Sequence, residues 1–259
     1  MADADGGSSS KMASADDDDG SSTSSTALPL QALEGESYAS FAKRSLVSFK
    51  QEGEKLIAAH SKEAFSNGDI IYASPSTGAK LWVGSADLAS DYAQLTAIGC
   101  RSIVYCQDEY EGSLYFIDEP GFRYLSFPIG TWLPPPSWPD VAPGDASPTT
   151  PTDEAMLAYV QPLFAFVETE LAAGRNVLIH CLAGAHRAGT AGVACLMHLE
   201  GLDRVAATTM AQERRELIDP IHHLYYLLTQ LETAMGRGDG SASASTTEAE
   251  YAHRIGTAR

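Results

Sequence analysis

One short segment in the second half of the chain constrains the fold more than any other. Residues 176–180 form an apolar run with β-branched side chains, which predicts a buried parallel strand. Small residues around Gly184 follow as a loop, and an apolar stripe after Ala188 predicts a helix that ends at Gly201. A strand, a tight loop and a helix in this order indicate an α/β protein. We therefore predict a central, mostly parallel, twisted sheet with helices on both faces.

The loop of this segment carries residues suited to phosphate chemistry. Cys181 and Arg187 are separated by five residues, and a thiol at a helix N-terminus ionises more readily than a free thiol. Arg187 supplies a planar guanidinium that can bind two phosphoryl oxygens at once. Backbone N–H groups of the residues between them can face inward and bind an anion; these residues are Leu182, Ala183, Gly184, Ala185 and His186. The pattern predicts attack of a thiolate on a phosphate monoester.

His180, Cys181 and Arg187 together resemble the His-Cys-x5-Arg signature of the cysteine-dependent protein phosphatases. Residues 81–106 resemble the opening strand, helix and strand of the dual-specificity branch, and residues 214–220 are similar to its closing segment. The likeness extends over about residues 69 to 235, and the chain is identified as an atypical member of that branch. The resemblance implies hydrolysis of phosphate monoesters through a phosphocysteine intermediate, with no metal and no other cofactor.

The resemblance also implies a phosphorylated protein as the substrate. No segment resembles the loop that deepens the pocket of the tyrosine-specific branch, so we expect phosphotyrosine and also phosphoserine and phosphothreonine to enter by analogy. Two alternatives stay open at this point. The chain could bind phosphorylated ligands without hydrolysing them, or it could act on a non-protein substrate such as a phosphoinositide or a phosphoglucan.

The proton donor for the leaving group is less clearly marked. In the dual-specificity branch an Asp follows the strand that corresponds to residues 122–129, but residues 130–132 are Gly, Thr and Trp. The tripeptide at 138–140, Trp-Pro-Asp, resembles the acid loop of the tyrosine-specific branch, which makes Asp140 the predicted general acid. The alternatives are a chain without such an acid, or Asp108, Asp145 or Asp153, of which the last fits better as a first-turn helix charge.

Five further residues near the loop carry open interpretations. Ala188 stands where most relatives have a Ser or Thr that assists the second step, so the phosphocysteine is expected to break down slowly. His186 either adds a positive charge at the rim of the pocket or faces solvent. Arg214 and Arg215 either bind a second anionic group or are solvated charges, and His180 is expected to orient the loop.

Composition bounds the rest of the molecule. The 259 residues are 44% hydrophobic, enough for one domain, predicted at 67–236. Residues 1–27 are mostly Ser, Gly, Asp and Ala. We predict that 1–66 and 237–259 are disordered tails, with a possible amphipathic helix at 37–63.

Charge and cysteine content restrict partners and location. A net charge of −17 argues against nucleic acid or an anionic membrane surface as the main partner, and no apolar run is long enough to span a bilayer. Four cysteines are too few for a disulfide scaffold and fit a reducing compartment. We expect a monomer in the cytoplasm, or in the nucleus.

Overall fold

The computed structural model describes residues 38–59, 66–107, 114–131, 152–221 and 223–237. Its five strands are β1 (Gly68–Ala73), β2 (Lys80–Gly84), β3 (Cys100–Tyr105), β4 (Arg123–Ser126) and β5 (Asn176–His180). Its helices are α1 (Tyr38–Ala59), α2 (Ala86–Ser90), α3 (Tyr92–Ala97), α4 (Asp153–Ala172), α5 (Arg187–Glu200), α6 (Arg204–Arg214) and α7 (His223–Ala234). A 3₁₀ turn at Ile129–Thr131 follows β4.

The strands form one sheet in the order β1-β2-β5-β3-β4. β5 lies in the middle and pairs in parallel with β2 on one side and β3 on the other. β4 extends the parallel part at one edge, and β1 is an antiparallel strand at the opposite edge. The prediction of a mostly parallel sheet is confirmed. The carboxyl ends of β2, β5 and β3 meet at one edge of the sheet, which is where open α/β sheets bind ligands.

Helices cover both faces of the sheet, as the sequence predicts. Within β5, Val177 and Ile179 belong to the large core cluster, which also contains buried residues of α4, α5 and α7. Leu178 points to the other face, where it packs in a smaller cluster with Leu88 of α2 and Leu95 of α3. This alternation is the two-residue period of a strand buried on both sides.

Short polar residues define where several helices begin. A side-chain oxygen accepts a hydrogen bond from a backbone N–H in the first turn of four helices, and the accepting caps are Ser85, Asp91, Thr152 and Asp203. α5 ends at Gly201 with a positive φ of 69°, as expected for a left-handed C-cap. Asp153 follows the cap of α4 as a first-turn acidic residue, where its charge favours the helix dipole.

Among the described residues, no helix has both the length and the apolar character needed to cross a membrane.

Candidate active site

The loop between β5 and α5, residues 181–186, lies at the carboxyl edge of the sheet; we call it the Cys181 loop. Cys181 follows the last residue of β5, and Arg187 is the first residue of α5. Both side chains are buried, with Cys181 3% and Arg187 1% exposed. The central strand and the helix behind it therefore fix the two ends of the loop.

Gly184 allows the loop to turn sharply against the neighbouring strand. Its φ is 67°, a conformation that side chains with a Cβ seldom adopt. A Cβ placed on Gly184 would lie 2.4 Å from the carbonyl carbon of Gly84 at the end of β2. The residue is thus required to be glycine by its backbone conformation and by the space around it.

Every carbonyl oxygen from residue 182 to residue 185 accepts a hydrogen bond from outside the Cys181 loop. The Ala86 N–H donates to the carbonyl of residue 182 (3.0 Å), and the Asp219 N–H donates to that of residue 185 (3.3 Å). Between them, Arg215 donates through Nη2 to the carbonyl of residue 183 (2.9 Å) and through Nε to that of residue 184 (2.8 Å). A trans peptide unit places its N–H opposite its C=O. The N–H groups of residues 183–186 therefore point to the inside of the loop, an arrangement that can bind an anion.

Arg215 is the main support of the Cys181 loop on its outer side. Besides the two loop carbonyls, its Nη1 donates to Asp69 Oδ2 at 2.6 Å and to the Ser66 carbonyl at 2.9 Å. The Arg215 side chain is 1% exposed and pairs with a partly exposed carboxylate of β1. Neither a role at the rim nor a solvated charge describes Arg215, so both sequence interpretations are wrong for this residue. Arg214, its neighbour, is exposed.

The amphipathic helix predicted at 37–63 is present as α1 and packs against the Cys181 loop. The Phe49 ring lies over the guanidinium of Arg187, with 5.6 Å between the ring centroid and Cζ. A Cβ on Gly53 would contact Leu182 Cδ2 at 3.2 Å and the Ala183 Cβ at 3.7 Å. α1 therefore contributes to the surroundings of the loop.

Comparison with known proteins identifies the family of this chain. The family model for the dual specificity phosphatase catalytic domain matches residues 81–234, which span β2 to α7. The chain belongs to the dual specificity phosphatase family. The predicted family resemblance is confirmed, and the matched region contains the whole Cys181 loop.

The individual relatives match this chain over a short segment or at low sequence identity. Dual specificity protein phosphatase Mpk3 of Drosophila melanogaster is 36% identical over 76 residues, which are 29% of this chain and 18% of that protein. The alignment thus spans less than a fifth of the length of that relative. The crystal structure of human DUSP28 is 23% identical to this chain, with a TM-score of 0.48, and the match covers 66% of this chain and 96% of the other.

A second solved structure gives a similar match. The human tyrosine phosphatase-like serine/threonine/tyrosine-interacting protein has 20% identity and a TM-score of 0.43. The match covers 64% of this chain and 95% of that one.

His180 of this dual specificity phosphatase domain is buried below the Cys181 loop. The pKa of His180 is lowered to about 4, with burial as the largest cause; the nearby Arg187 charge also lowers it, and a hydrogen bond to the Cys181 backbone opposes both. Its ring meets the Tyr105 ring edge-on, with 5.4 Å between centroids. His180 is therefore neutral at pH 7 and packs as part of the floor of the site.

His186 is also buried, 7% exposed, so the interpretation as a solvent-facing residue is wrong. Its Nδ1 lies 2.7 Å from the Asp219 carbonyl oxygen; since a carbonyl only accepts, Nδ1 carries the proton. Burial lowers the pKa of His186, while the Asp219 contact and the Glu52 charge on α1 raise it. The pKa of His186 is lowered overall because desolvation is the largest effect. His186 therefore adds no fixed positive charge to the rim.

The other cysteines of the chain lie in the core. Burial raises the pKa of Cys100 to about 12 and raises that of Cys195 as well. Cys106 is fully buried beside the end of β3. All four cysteines are free thiols, and only Cys181 lies in the loop between β5 and α5.

The structure leaves the general acid open. Asp140 lies outside the described residues, as do Asp108 and Asp145. The 3₁₀ turn at Ile129–Thr131 occupies the place where the dual-specificity branch has its acid, and it contains no carboxylate. Ala188 is fully buried in the first turn of α5, and the hydroxyl of Thr190 donates to the His186 carbonyl at 2.7 Å.

Proposed function

We propose that this chain hydrolyses phosphate monoesters on proteins, with phosphotyrosine and also phosphoserine and phosphothreonine as substrates. The observation that carries the proposal is the outward direction of the four carbonyls at 182–185. It leaves a set of N–H groups facing the same space as the thiol of Cys181 and the N-terminus of α5. A thiolate below an anion-binding nest is suited to attack a bound phosphoryl group.

In the proposed reaction, the Cys181 thiolate attacks phosphorus and forms a P–S bond while the ester P–O bond breaks. The leaving oxygen takes a proton from the general acid. Water then attacks phosphorus and gives one proton to the conjugate base of the general acid, which restores the acid. The P–S bond breaks, and inorganic phosphate leaves with the thiolate regenerated. The loop N–H groups and the Arg187 guanidinium stabilise the charge that spreads over the three equatorial oxygens in each transition state.

We propose Asp140 as the general acid because Trp-Pro-Asp at 138–140 supplies a carboxylate that residues 130–132 lack. Replacing Asp140 by Asn is expected to lower kcat on a phosphoserine peptide by roughly 10²–10⁴-fold. The loss on a phosphotyrosine peptide is expected to be smaller, because a phenol with a pKa near ~10 leaves more easily than an alkanol. Asp145→Asn is the control, and equal losses on both peptides would contradict the argument from the leaving group.

The decisive experiment measures hydrolysis of a generic aryl phosphate by the full chain. We expect activity in the wild type and its loss in Cys181→Ser. Cys195→Ala, which removes a buried thiol from α5, should keep near wild-type activity. A chain that binds inorganic phosphate but hydrolyses nothing would favour a phospho-binding protein. A panel of phosphopeptides, a phosphoinositide and a phosphoglucan then tests the substrate class, and a preference for either of the last two would overturn the protein substrate.

A further inference from the structure

Helix α1 lies outside the residues that match the family model, 81–234, yet it reaches the Cys181 loop. Glu52 and Gly53 follow Phe49 by three and four residues, so both lie on the same face of the helix as Phe49. Phe49 is 1% exposed and belongs to the large core cluster. The face is therefore docked on the domain.

Three observations place this face of α1 on the loop. The Phe49 ring covers the guanidinium of Arg187 at 5.6 Å. The missing Cβ of Gly53 gives room to Leu182, whose Cδ2 would otherwise lie 3.2 Å away. The Glu52 carboxylate is near enough to raise the pKa of His186. One face of α1 thus lies close to three residues at the loop, which are Leu182, His186 and Arg187.

We propose that Phe49 is a positioning residue for Arg187. An aromatic ring attracts a guanidinium to its face and leaves the N–H groups at the edge of the guanidinium plane available for oxygen ligands. A ring fixed by burial on a docked helix would hold that plane in one orientation. The inference rests on the proposed function, in which Arg187 binds phosphoryl oxygens.

A positioning role and ordinary core packing place different demands on the side chain at position 49. Core packing needs apolar volume, which a leucine also supplies, whereas orientation of a guanidinium needs the face of a ring. The two interpretations therefore differ in what Phe49→Leu and Phe49→Tyr do. Tyrosine keeps the ring face, and leucine keeps only apolar volume.

The test measures inhibition of aryl phosphate hydrolysis by inorganic phosphate, together with kcat, KM and the thermal unfolding midpoint, on the full chain. We expect phosphate to inhibit Phe49→Leu about tenfold more weakly, with a higher KM. Phe49→Tyr should stay within about twofold of the wild type. Val47→Ala is the matched control, because Val47 is on the same helix but 49% exposed, and all its constants should be unchanged.

A purely structural Phe49 gives a different result. The unfolding midpoint and the amount of active protein would fall in Phe49→Leu, while the phosphate inhibition constant of the folded enzyme stayed at the wild-type value; that outcome overturns the proposal. Equal weakening in Phe49→Tyr and Phe49→Leu also overturns it. Gly53→Leu is a second variant, which forces α1 away from Leu182 and should weaken phosphate inhibition without altering Phe49.

Direct binding of inorganic phosphate, measured by calorimetry, separates this inference from the proposed function. If the wild type binds phosphate without hydrolysing the aryl ester, the proposed function is wrong, and the Phe49 variants still report on Arg187 through phosphate affinity. If the wild type does not bind phosphate at all, both are wrong.

Discussion

At the scale of single residues, Arg215 links distant parts of the chain to the Cys181 loop. One guanidinium donates to the carbonyls of Ala183 and Gly184 and also to Asp69 and Ser66 near β1. These bonds turn two loop peptides outward, so the inward N–H groups depend on them. Arg215 lies outside the catalytic pocket and acts through the backbone it holds.

Replacing Arg215 by Lys should therefore damage phosphate binding. An ammonium group cannot reproduce the fixed planar geometry that reaches both carbonyls, and each buried carbonyl left without a donor costs about 1–3 kcal/mol. We expect a lower free energy of unfolding. We also expect a fall in kcat/KM of about 10²-fold, which at about 1.4 kcal/mol per factor of ten is a loss of about 3 kcal/mol of transition-state stabilisation. The adjacent Arg214→Lys is the control, since Arg214 is exposed, and a matching loss there would contradict the argument.

Ala188 sets a second prediction at the residue scale. Its methyl group is buried in the first turn of α5, at the position where the family resemblance implies a Ser or Thr hydroxyl that assists the second step. Without that hydroxyl the second step should limit turnover, so rapid mixing with an aryl phosphate should show a burst of product followed by a slower phase. Ala188→Ser should speed the slow phase several-fold and shrink the burst. A linear time course from the first turnover in the wild type would count against this prediction.

At the scale of elements, the contact between α5 and the sheet positions the site. α5 carries Arg187 at its first residue, and Gly192 lies where the helix crosses β2 and β1. A Cβ on Gly192 would lie 2.7 Å from Val83 Cγ2 and 2.9 Å from Ile71 Cδ1. The helix can approach this closely only because the residue has no side chain.

Gly192→Val should push α5 away from the sheet and move Arg187 with it. Overpacking of this kind costs typically about 1–3 kcal/mol, and we expect both the unfolding midpoint and kcat/KM to fall. Gly201→Ala is the comparison, because it strains the C-cap of the same helix by about 1 kcal/mol with no atom within 4 Å of the new methyl. Its activity should stay near wild type, and an equal loss of kcat/KM in both variants would contradict the link between packing and the site.

At the scale of the whole molecule, stability should depend on the neutral state of His180. The pKa of His180 is about 4 in the folded chain and near ~6.5 when unfolded. Above ~6.5 the histidine is neutral in both states and stability is full; as the pH falls from there towards 4, the unfolded chain binds the proton first. The free energy of unfolding should drop by about 2 kcal/mol between pH 7 and pH 5 through this residue alone.

Denaturant unfolding at a series of pH values checks this dependence. His180→Gln should be less stable at pH 7 but show a flatter profile between pH 7 and pH 5. His198→Gln, which removes a partly exposed histidine paired with Glu168, should keep the wild-type slope. A wild-type slope in His180→Gln would show that another group is responsible.

The sequence predicts the parts of this molecule that depend on local pattern. The strand before Cys181, the turn at Gly184 and the end of α5 at Gly201 follow from apolar runs and from glycines that need positive φ. The support from Arg215 was not predictable, because residues 31 and 32 positions away in the chain meet it only after folding. The side of α1 that faces the loop, and the burial of His186, depend on tertiary packing in the same way.

The strand order also has a consequence for how the chain acquires its function. Of the described strands, β5 is the last to be synthesised, and it lies between β2 and β3 in the sheet. β2 precedes it by about a hundred residues and β3 by about seventy. Until it inserts, the sheet has a gap at its centre and the thiol has no ring of N–H groups around it. If the proposed function holds, catalytic competence therefore requires closure of the sheet around β5.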